Sequence, residues 1–189
     1  MRVVLGVSGA SGAALALAAA ECLNTLGVAF DLVVSPAGER NLAEESGSDG
    51  LRRLTAMAAR CHDYRDIGAT VASGSHPVAG MIVAPCSMRS LAAIAHGLDD
   101  NLLTRAAGVQ LKERRPLILL AREAPLTLAH LRNMTAVTEM GGIILPPVPA
   151  FYLHPASVAD IVAQIAARAV DLLRIAPPCA DQWDGQDLP

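Results

Sequence analysis

The chain has 189 residues, of which 52% are hydrophobic and 17% are charged, and its formal net charge is -3. This length suits one domain with a sizeable core, the longest apolar runs are too short to span a bilayer, and the charge excludes a basic nucleic-acid face. The excess of apolar residues therefore indicates contacts between subunits, so we expect a homo-oligomer.

Short apolar runs alternate with longer helical stretches along the chain. The pattern predicts, in order, a strand at 2–7, a helix at 13–26, a strand at 29–34, a helix at 37–45, a strand at 79–84, helices at 89–96 and 102–112, a strand at 116–121, a helix at 126–140, a strand at 142–145 and a helix at 157–175. The stretch 46–62 is ambiguous and is read as a possible helix after a Gly/Ser/Asp turn.

These β-α units predict a single-domain, doubly wound parallel sheet of the Rossmann or flavodoxin-like, three-layer α/β/α type, because the strands are apolar throughout. The domain is expected to cover residues 1–176, with a surface tail at 177–189. The first strand reaches a Gly/Ser loop too soon for a signal peptide, so the cytoplasm is the expected location.

Polar residues follow every predicted strand at its carboxyl end, where open parallel sheets bind ligands. They are Ser8-Gly9-Ala10-Ser11-Gly12-Ala13, Ser35, Pro85-Cys86-Ser87-Met88-Arg89-Ser90, Arg122-Glu123 and Phe151-Tyr152. A glycine-containing loop before a helix lets an anion approach the helix N-terminus. Serines at three successive strand ends therefore favour a ligand that carries a phosphate.

Each of these signals has a plainer reading. The serines are also suited to cap helices, and Arg122-Glu123 is also suited to a solvated ion pair. Cys86 lies at a strand end but has no evident histidine partner, so we read it as a small buried residue. The four cysteines and five histidines show no metal-ligand spacing, so no metal site is predicted.

Several motifs, in their order and spacing, resemble the UbiX-type flavin prenyltransferases from Arg2 to about Arg174. They are the opening Gly/Ser loop, Ala72-Ser73-Gly74-Ser75, Ala84-Pro85-Cys86-Ser87, Arg105-Ala106-Ala107, Leu111-Lys112-Glu113-Arg114-Arg115-Pro116-Leu117, Arg122-Glu123-Ala124-Pro125-Leu126 and Pro149-Ala150-Phe151-Tyr152. The opening loop is shared with other flavoproteins, whereas the LKERRPL, REAPL and PAFY stretches are typical of this family alone.

The resemblance implies a known reaction. Such enzymes attach a dimethylallyl group from dimethylallyl monophosphate to N5 and C6 of reduced FMN. The product, prenylated FMN, serves a UbiD-type decarboxylase in ubiquinone synthesis or aromatic-acid breakdown. The resemblance further implies a dodecamer without a metal.

The resemblance also assigns roles to residues. The FMN site maps to Gly9, Ala10, Ser11, Ser35, Ser87, Met88, Arg89, Ser90 and Arg122, and the prenyl-phosphate site to Lys112, Arg122, Tyr152 and Arg168. Catalytic roles fall to Ser11, Glu45, Glu123 and Lys112. The cations and the tyrosine hydroxyl would stabilise charge on the leaving phosphate, while a glutamate would move the C6 proton. Some of these groups would come from a neighbouring subunit.

The chain departs from the family at two places. Leu15 stands where many members carry a tyrosine, and in Tyr152-Leu153-His154-Pro155 the histidine is shifted by one place.

Three alternative functions remain: a flavin-dependent cysteine decarboxylase, a non-catalytic flavin-binding subunit of an aromatic-acid decarboxylase complex, and a flavodoxin-like electron carrier. The cysteine decarboxylases use a Pro-x-Met-Asn stretch, and an electron carrier would not need this cluster of cations.

Overall fold

The computed structural model describes residues 1–183 and 185, and it contains a six-stranded sheet in which all the pairings are parallel. The strands are β1 (Arg2–Val7), β2 (Ala29–Val34), β3 (Arg60–His62), β4 (Met81–Cys86), β5 (Leu117–Ala121) and β6 (Ile143–Ile144). Their spatial order is β3-β2-β1-β4-β5-β6. This is the order of a doubly wound Rossmann-type sheet, so the predicted fold class is confirmed.

In the described part of the chain, seven helices flank the sheet: α1 (Ala13–Thr25), α2 (Pro36–Ser46), α3 (Gly50–Met57), α4 (Met88–Ala95), α5 (Leu102–Lys112), α6 (Leu128–Glu139) and α7 (Val158–Asp171). Short 3-10 helices occur at Thr70–Ala72 and Phe151–Leu153. Five of the seven begin at a Ser, Thr or Asn whose side chain accepts a backbone N–H of the first turn. At α2 and α4 the capping serine comes directly after a strand, so the helix begins there at once.

Two hydrophobic cores sandwich the sheet because alternate strand residues point to opposite faces. Val3 and Leu5 of β1 pack towards α1 and α7, whereas Val4 packs on the other face with Leu102 and Leu103 of α5. All five residues of β5 are buried. Because these strands are buried on both faces, they appear in the sequence as apolar runs.

The ambiguous stretch 46–62 contains two elements rather than one helix. Helix α3 ends at Met57, and the chain then forms the edge strand β3. Two of the three residues of β3 are exposed, so β3 lacks the apolar pattern that identifies a buried strand. The predicted helix after the Gly/Ser/Asp turn is therefore confirmed as α3, whereas strand β3 was not predicted.

The described part of the tail packs against α7. The Asp171 carboxylate accepts hydrogen bonds from the backbone N–H groups of Cys179 and Ala180 at 2.8 and 3.2 Å. Gln164 exchanges two hydrogen bonds with the backbone of Asp181. Positions 184 and 186–189 of the predicted tail lie outside the described residues. Within residues 1–183 and 185, no helix combines the length and the apolar character needed to cross a membrane.

Candidate active site

The site lies at the carboxyl edge of the sheet, between β1 and β4, where the strand order reverses direction. Ser8, which follows β1, joins the two sides of this crevice. Its hydroxyl donates to the Pro85 carbonyl at 3.0 Å and accepts the Ser87 N–H at 2.8 Å. Ser8 is 1% exposed. It therefore fixes the spacing of the two loops without facing a ligand.

The turn between β2 and α2 packs against the loop between β1 and α1. Ser35 caps α2 by accepting the Gly38 N–H at 3.0 Å, and its own N–H donates to the Val7 carbonyl at 2.9 Å. A Cβ atom on Gly9 would overlap the Ala37 side chain. Glycine is thus required at position 9 because the Ala37 Cβ atom leaves no space for a second side chain there.

The N-terminus of α1 is capped from a distance by Glu45. Its Oε2 atom accepts the N–H groups of Gly12 and Ala13, both at 2.8 Å. Gly12, the N-cap residue, has φ 119° and offers no side chain for this purpose. Glu45, the last but one residue of α2, consequently lies beside the loop that carries Ser11. A carboxylate at a helix N-terminus is stabilising, so Glu45 has a structural role as well as its predicted catalytic one.

The N-terminus of α4 keeps free backbone donors. Ser87 caps the helix by accepting the Ser90 N–H at 3.2 Å. Within the described part of the chain, no acceptor is bound to the N–H groups of Met88 and Arg89. The Met88 side chain is buried in the core and the Arg89 guanidinium pairs with Asp100. These two residues therefore present backbone N–H groups to the crevice, which is the arrangement that binds a phosphate.

Arg122 follows β5 directly and lies near the same helix N-terminus. Its N–H donates to the Cys86 carbonyl at 3.1 Å, which places residue 122 beside the start of α4. Arg122 and Glu123 are both exposed, and they form no ion pair with each other. Glu123 accepts the Ala124 N–H at 3.1 Å instead. The arginine is thus available to an incoming anion.

We name the group formed by the β1–α1 loop, the N-termini of α2 and α4, and residues 122–123 the strand-end cradle. It brings together Gly9, Ala10, Ser11, Ser35, Glu45, Ser87, Met88, Arg89, Ser90, Arg122 and Glu123. Ten of these were predicted site residues adjacent to strand ends, and Glu45 joins them through a contact across 33 positions.

Tyr152 and Arg168 lie together in a separate cleft of about 490 Å³ between residues 145–152, α7 and the tail. The Trp183 ring meets the Tyr152 ring edge-on, with centroids 5.4 Å apart. None of the cradle residues lines this cleft. No role for Trp183 is predictable from the sequence, because neither its spacing nor its neighbours form a motif.

Lys112 lies at the opposite edge of the sheet from the cradle. It ends α5, five residues before β5 begins at the amino edge. Its ammonium pairs with the neighbouring Glu113 carboxylate. A single chain therefore does not bring Lys112 together with Arg122.

Cys86 is fully buried, and this burial raises the pKa of its thiol to about 12. A thiol that is protonated at neutral pH is a poor nucleophile, which agrees with the reading of Cys86 as a packing residue. No group of three or more metal-ligating side chains occurs in the residues that the structure describes.

Known proteins match this chain over nearly its whole length. The family model described as Flavoprotein matches residues 1–170. The flavin prenyltransferase UbiX of Neisseria meningitidis serogroup B is 50% identical over 184 residues, 97% of either chain. That of Escherichia coli K12 is 45% identical, over 97% of this chain and 98% of the relative. This chain belongs to the UbiX-type flavin prenyltransferase family.

Solved structures of the family superimpose closely on this chain. AnUbiX (PadA1) in complex with FMN and dimethylallyl pyrophosphate has a TM-score of 0.93 at 41% identity, with 98% of both chains covered. A dodecameric FMN-dependent UbiX-like decarboxylase from Escherichia coli O157:H7 has the same score at 42% identity, covering 98% and 100%. The cysteine decarboxylase TvaF, at 17% identity and a TM-score of 0.65, shares only the fold.

Proposed function

We propose that this family member joins a dimethylallyl group from dimethylallyl monophosphate to N5 and C6 of reduced FMN. The observation that carries the proposal is the match to AnUbiX, which holds FMN and dimethylallyl pyrophosphate at 41% identity over 98% of this chain. The near relatives named flavin prenyltransferase support the same reaction. Prenylated FMN would then pass to a UbiD-type decarboxylase.

FMN fits the strand-end cradle because the donors present match a phosphate monoester. The free N–H groups of Met88 and Arg89, the hydroxyls of Ser87 and Ser90, and the Arg122 guanidinium would hold the phosphate. The turn Gly9-Ala10-Ser11 and Ser35 would border the isoalloxazine ring. Reduced FMN supplies the electron-rich N5 and C6 atoms for the reaction.

The prenyl donor needs cations, because its allylic C–O bond breaks as negative charge grows on the phosphate. Arg168 and Tyr152 share one cleft, Arg122 belongs to the cradle, and Lys112 lies at the far edge. We infer that a complete site combines these groups from different subunits. The dodecameric relative from Escherichia coli O157:H7 supports an assembly of this kind.

Proton transfer falls to groups of the cradle. The bond from N5 would form as the phosphate leaves with the electron pair of the C–O bond and N5 loses its proton. Closing the ring at C6 would then consume the prenyl double bond, which takes up a proton, and would release the proton of C6. Glu123, exposed beside Arg122, is the acid or base. Glu45 is held by two N–H groups through Oε2, which leaves Oε1 to act with the Ser11 hydroxyl near N5.

The cytoplasmic location expected from the sequence stays a prediction.

The test is anaerobic incubation with reduced FMN and dimethylallyl monophosphate or dimethylallyl diphosphate, followed by mass spectrometry of the extracted flavin. We expect a flavin that has gained one C5H8 unit, and the donor comparison identifies the preferred phosphate. Flavin that binds but gains no such unit from either donor would support the non-catalytic subunit instead.

A further inference from the structure

Two cysteines that are far apart in the sequence meet where the tail packs against the helices. Cys22, near the end of α1, is half-buried, and Cys179, in the tail, is exposed. Their Sγ atoms are 3.4 Å apart, across 157 positions of the chain, and both residues are free thiols. A disulfide bond is about 2.05 Å long, so a small further approach of the two sulfur atoms would allow one to form.

Both sulfur atoms are carried by anchored backbone. The Asp171 carboxylate accepts the backbone N–H groups of Cys179 and Ala180, and the Cys179 thiol donates to the same carboxylate at 3.3 Å. Cys22 belongs to α1, which shares one hydrophobic core with α7. A cysteine side chain turns about a single χ angle, so the contact depends on the backbone rather than on the swing of a long side chain.

The other two cysteines of the chain lie in different surroundings. Cys61, on the edge strand β3, is exposed, and its Sγ atom lies 3.9 Å from the Thr55 carbonyl oxygen. Cys86 is fully buried in the second core, away from solvent. Cys61 and Cys86 therefore show, within the same molecule, what exposure alone and burial alone do to a thiol.

We propose that Cys22 and Cys179 form a reversible dithiol–disulfide site, which a small disulfide such as oxidised glutathione converts into a covalent link between α1 and the tail. The Cys22 thiolate attacks one sulfur of the oxidant, and a thiolate leaves with the electron pair of the broken S–S bond. Cys179 then attacks the Cys22 sulfur of this mixed disulfide and releases the second thiolate. Two thiols are oxidised, one disulfide is reduced, and the two protons pass to the released thiolates.

The surroundings of Cys179 set this order of attack. Burial, the neighbouring Cys22 thiol and the Asp171 carboxylate raise the pKa of Cys179 to about 12, so Cys179 is a poor first nucleophile near neutral pH. In the second step its target sulfur already lies beside it, and this proximity offsets a low thiolate fraction. Asp171, 3.3 Å from the Cys179 sulfur, accepts the proton as Cys179 attacks.

The covalent link would fix the tail where it forms one wall of a cleft. Pro178, Ala180 and Asp181 line the cleft that also contains Tyr152 and Arg168. In the reduced chain this segment is held by hydrogen bonds, and exposed backbone held in this way opens locally. A disulfide at position 179 prevents that opening. The inference is independent of the proposed prenyl transfer, because it concerns the two thiols and the tail alone.

The experiment uses the full chain as the FMN-loaded oligomer, first reduced and then freed of reductant. It is incubated with oxidised glutathione, the remaining thiols are blocked with iodoacetamide, and the digested protein is analysed by mass spectrometry. We expect a peptide pair that joins Cys22 to Cys179, from chains that migrate as monomers on a non-reducing denaturing gel, and dithiothreitol should remove the link. Unreacted thiols at both positions, glutathione adducts without the link, or a link between two chains would overturn the proposal.

Three serine variants separate the pair from a generally reactive thiol. In Cys179→Ser, the reaction should stop at the mixed disulfide on Cys22, because the second thiol is missing. In Cys22→Ser, the cross-link should be lost as well. Cys61→Ser is the matched control: it removes an exposed thiol and should leave the yield of the cross-link unchanged. Loss of the cross-link in Cys61→Ser would contradict the assignment, because Cys61 would then take part in the exchange.

Hydrogen exchange measures the effect of the link on the tail. The amide hydrogens of Cys179 and Ala180 should exchange about tenfold more slowly in the oxidised chain than in the reduced chain, because opening of the tail is suppressed. Peptides that contain β3 should exchange equally in both forms and serve as the control. Equal exchange of the tail in the two forms would show that the bond does not restrain it.

Discussion

Glu45 shows how one carboxylate can serve the fold and the site. In the sequence it is an ordinary glutamate near the end of a helix. In the structure, its Oε2 atom holds the N–H groups of Gly12 and Ala13 at the start of α1. Since α1 begins directly after the loop with Ser11, any change at Glu45 affects the loop geometry as well as proton transfer.

Glu45→Ala should lower the free energy of unfolding by about 1 kcal/mol, the usual effect of losing an N-terminal cap. Glu44→Ala is the matched control, because Glu44 pairs with Arg40 on the exposed face of the same helix. That change should cost less than about 0.5 kcal/mol. Urea unfolding at one protein concentration measures both. Equal stability of the two variants would show that the cap contributes nothing.

Glu123 tests the acid–base assignment more cleanly, since its side chain bonds only to the neighbouring Ala124 N–H among the described residues. Glu123→Gln should slow prenylation by about 100-fold or more, the range of general acid–base effects. FMN binding, followed by flavin fluorescence, should be retained. Glu139→Gln, at the exposed end of α6, is the control. Wild-type turnover in Glu123→Gln would mean that another group moves the proton.

At the scale of elements, burial decides what the sequence could predict. Strands β1, β4 and β5 are buried on both faces, so their sequences RVVLGV, MIVAPC and LILLA are almost entirely apolar. Strand β3, Arg60–His62, is short, polar and at an edge, and a tripeptide of this kind carries no periodic signal. The same reasoning applies to the cradle: residues directly after buried strands were predictable.

Contacts between distant segments were not predictable from the pattern of residues. The bond from Glu45 to the α1 N-terminus crosses 33 positions, and the bond from Arg115 to the Gly74 carbonyl crosses 41 positions. The resemblance supplied Glu45 and Lys112 as site residues. It gave no physical reason for their placement, which comes from the packing of α2 and α5.

Helix α7 and the tail together form the cleft that holds Arg168 and Tyr152. Arg168→Ala should therefore weaken the prenyl phosphate by about 10- to 100-fold, as expected for losing a hydrogen bond between charged groups. FMN affinity should hold, since no cradle residue lines this cleft. Arg52→Ala, exposed on α3, provides the comparison. Equal loss of both ligands would assign Arg168 to the FMN site or to the fold.

At the scale of the whole molecule, the surface carries large exposed apolar side chains. On α6, Leu128 and Leu131 are 60% and 47% exposed, and only Val137 of this helix is fully buried. Phe151 is 72% exposed. Helical spacing places Leu128 and Leu131 on one face of α6, and an apolar face of this kind suits a subunit contact. Part of the excess of apolar residues noted in the sequence therefore lies on the surface, on α6 and at Phe151.

A site shared between subunits makes a quantitative prediction about mixed oligomers. Lys112 and Arg122 lie at opposite edges of one sheet, so they meet only if different chains supply them. Co-expression of the Lys112→Ala and Arg122→Ala variants should then restore about a quarter of the wild-type prenylation, because random assembly in a closed oligomer leaves that share of sites with both residues intact. Arg122→Ala mixed with Glu123→Gln is the control: these residues are adjacent on one chain, so every site lacks one of them and no activity should return. Absence of any recovery in the first mixture, from oligomers that contain both variants, would place Lys112 outside the site that Arg122 serves.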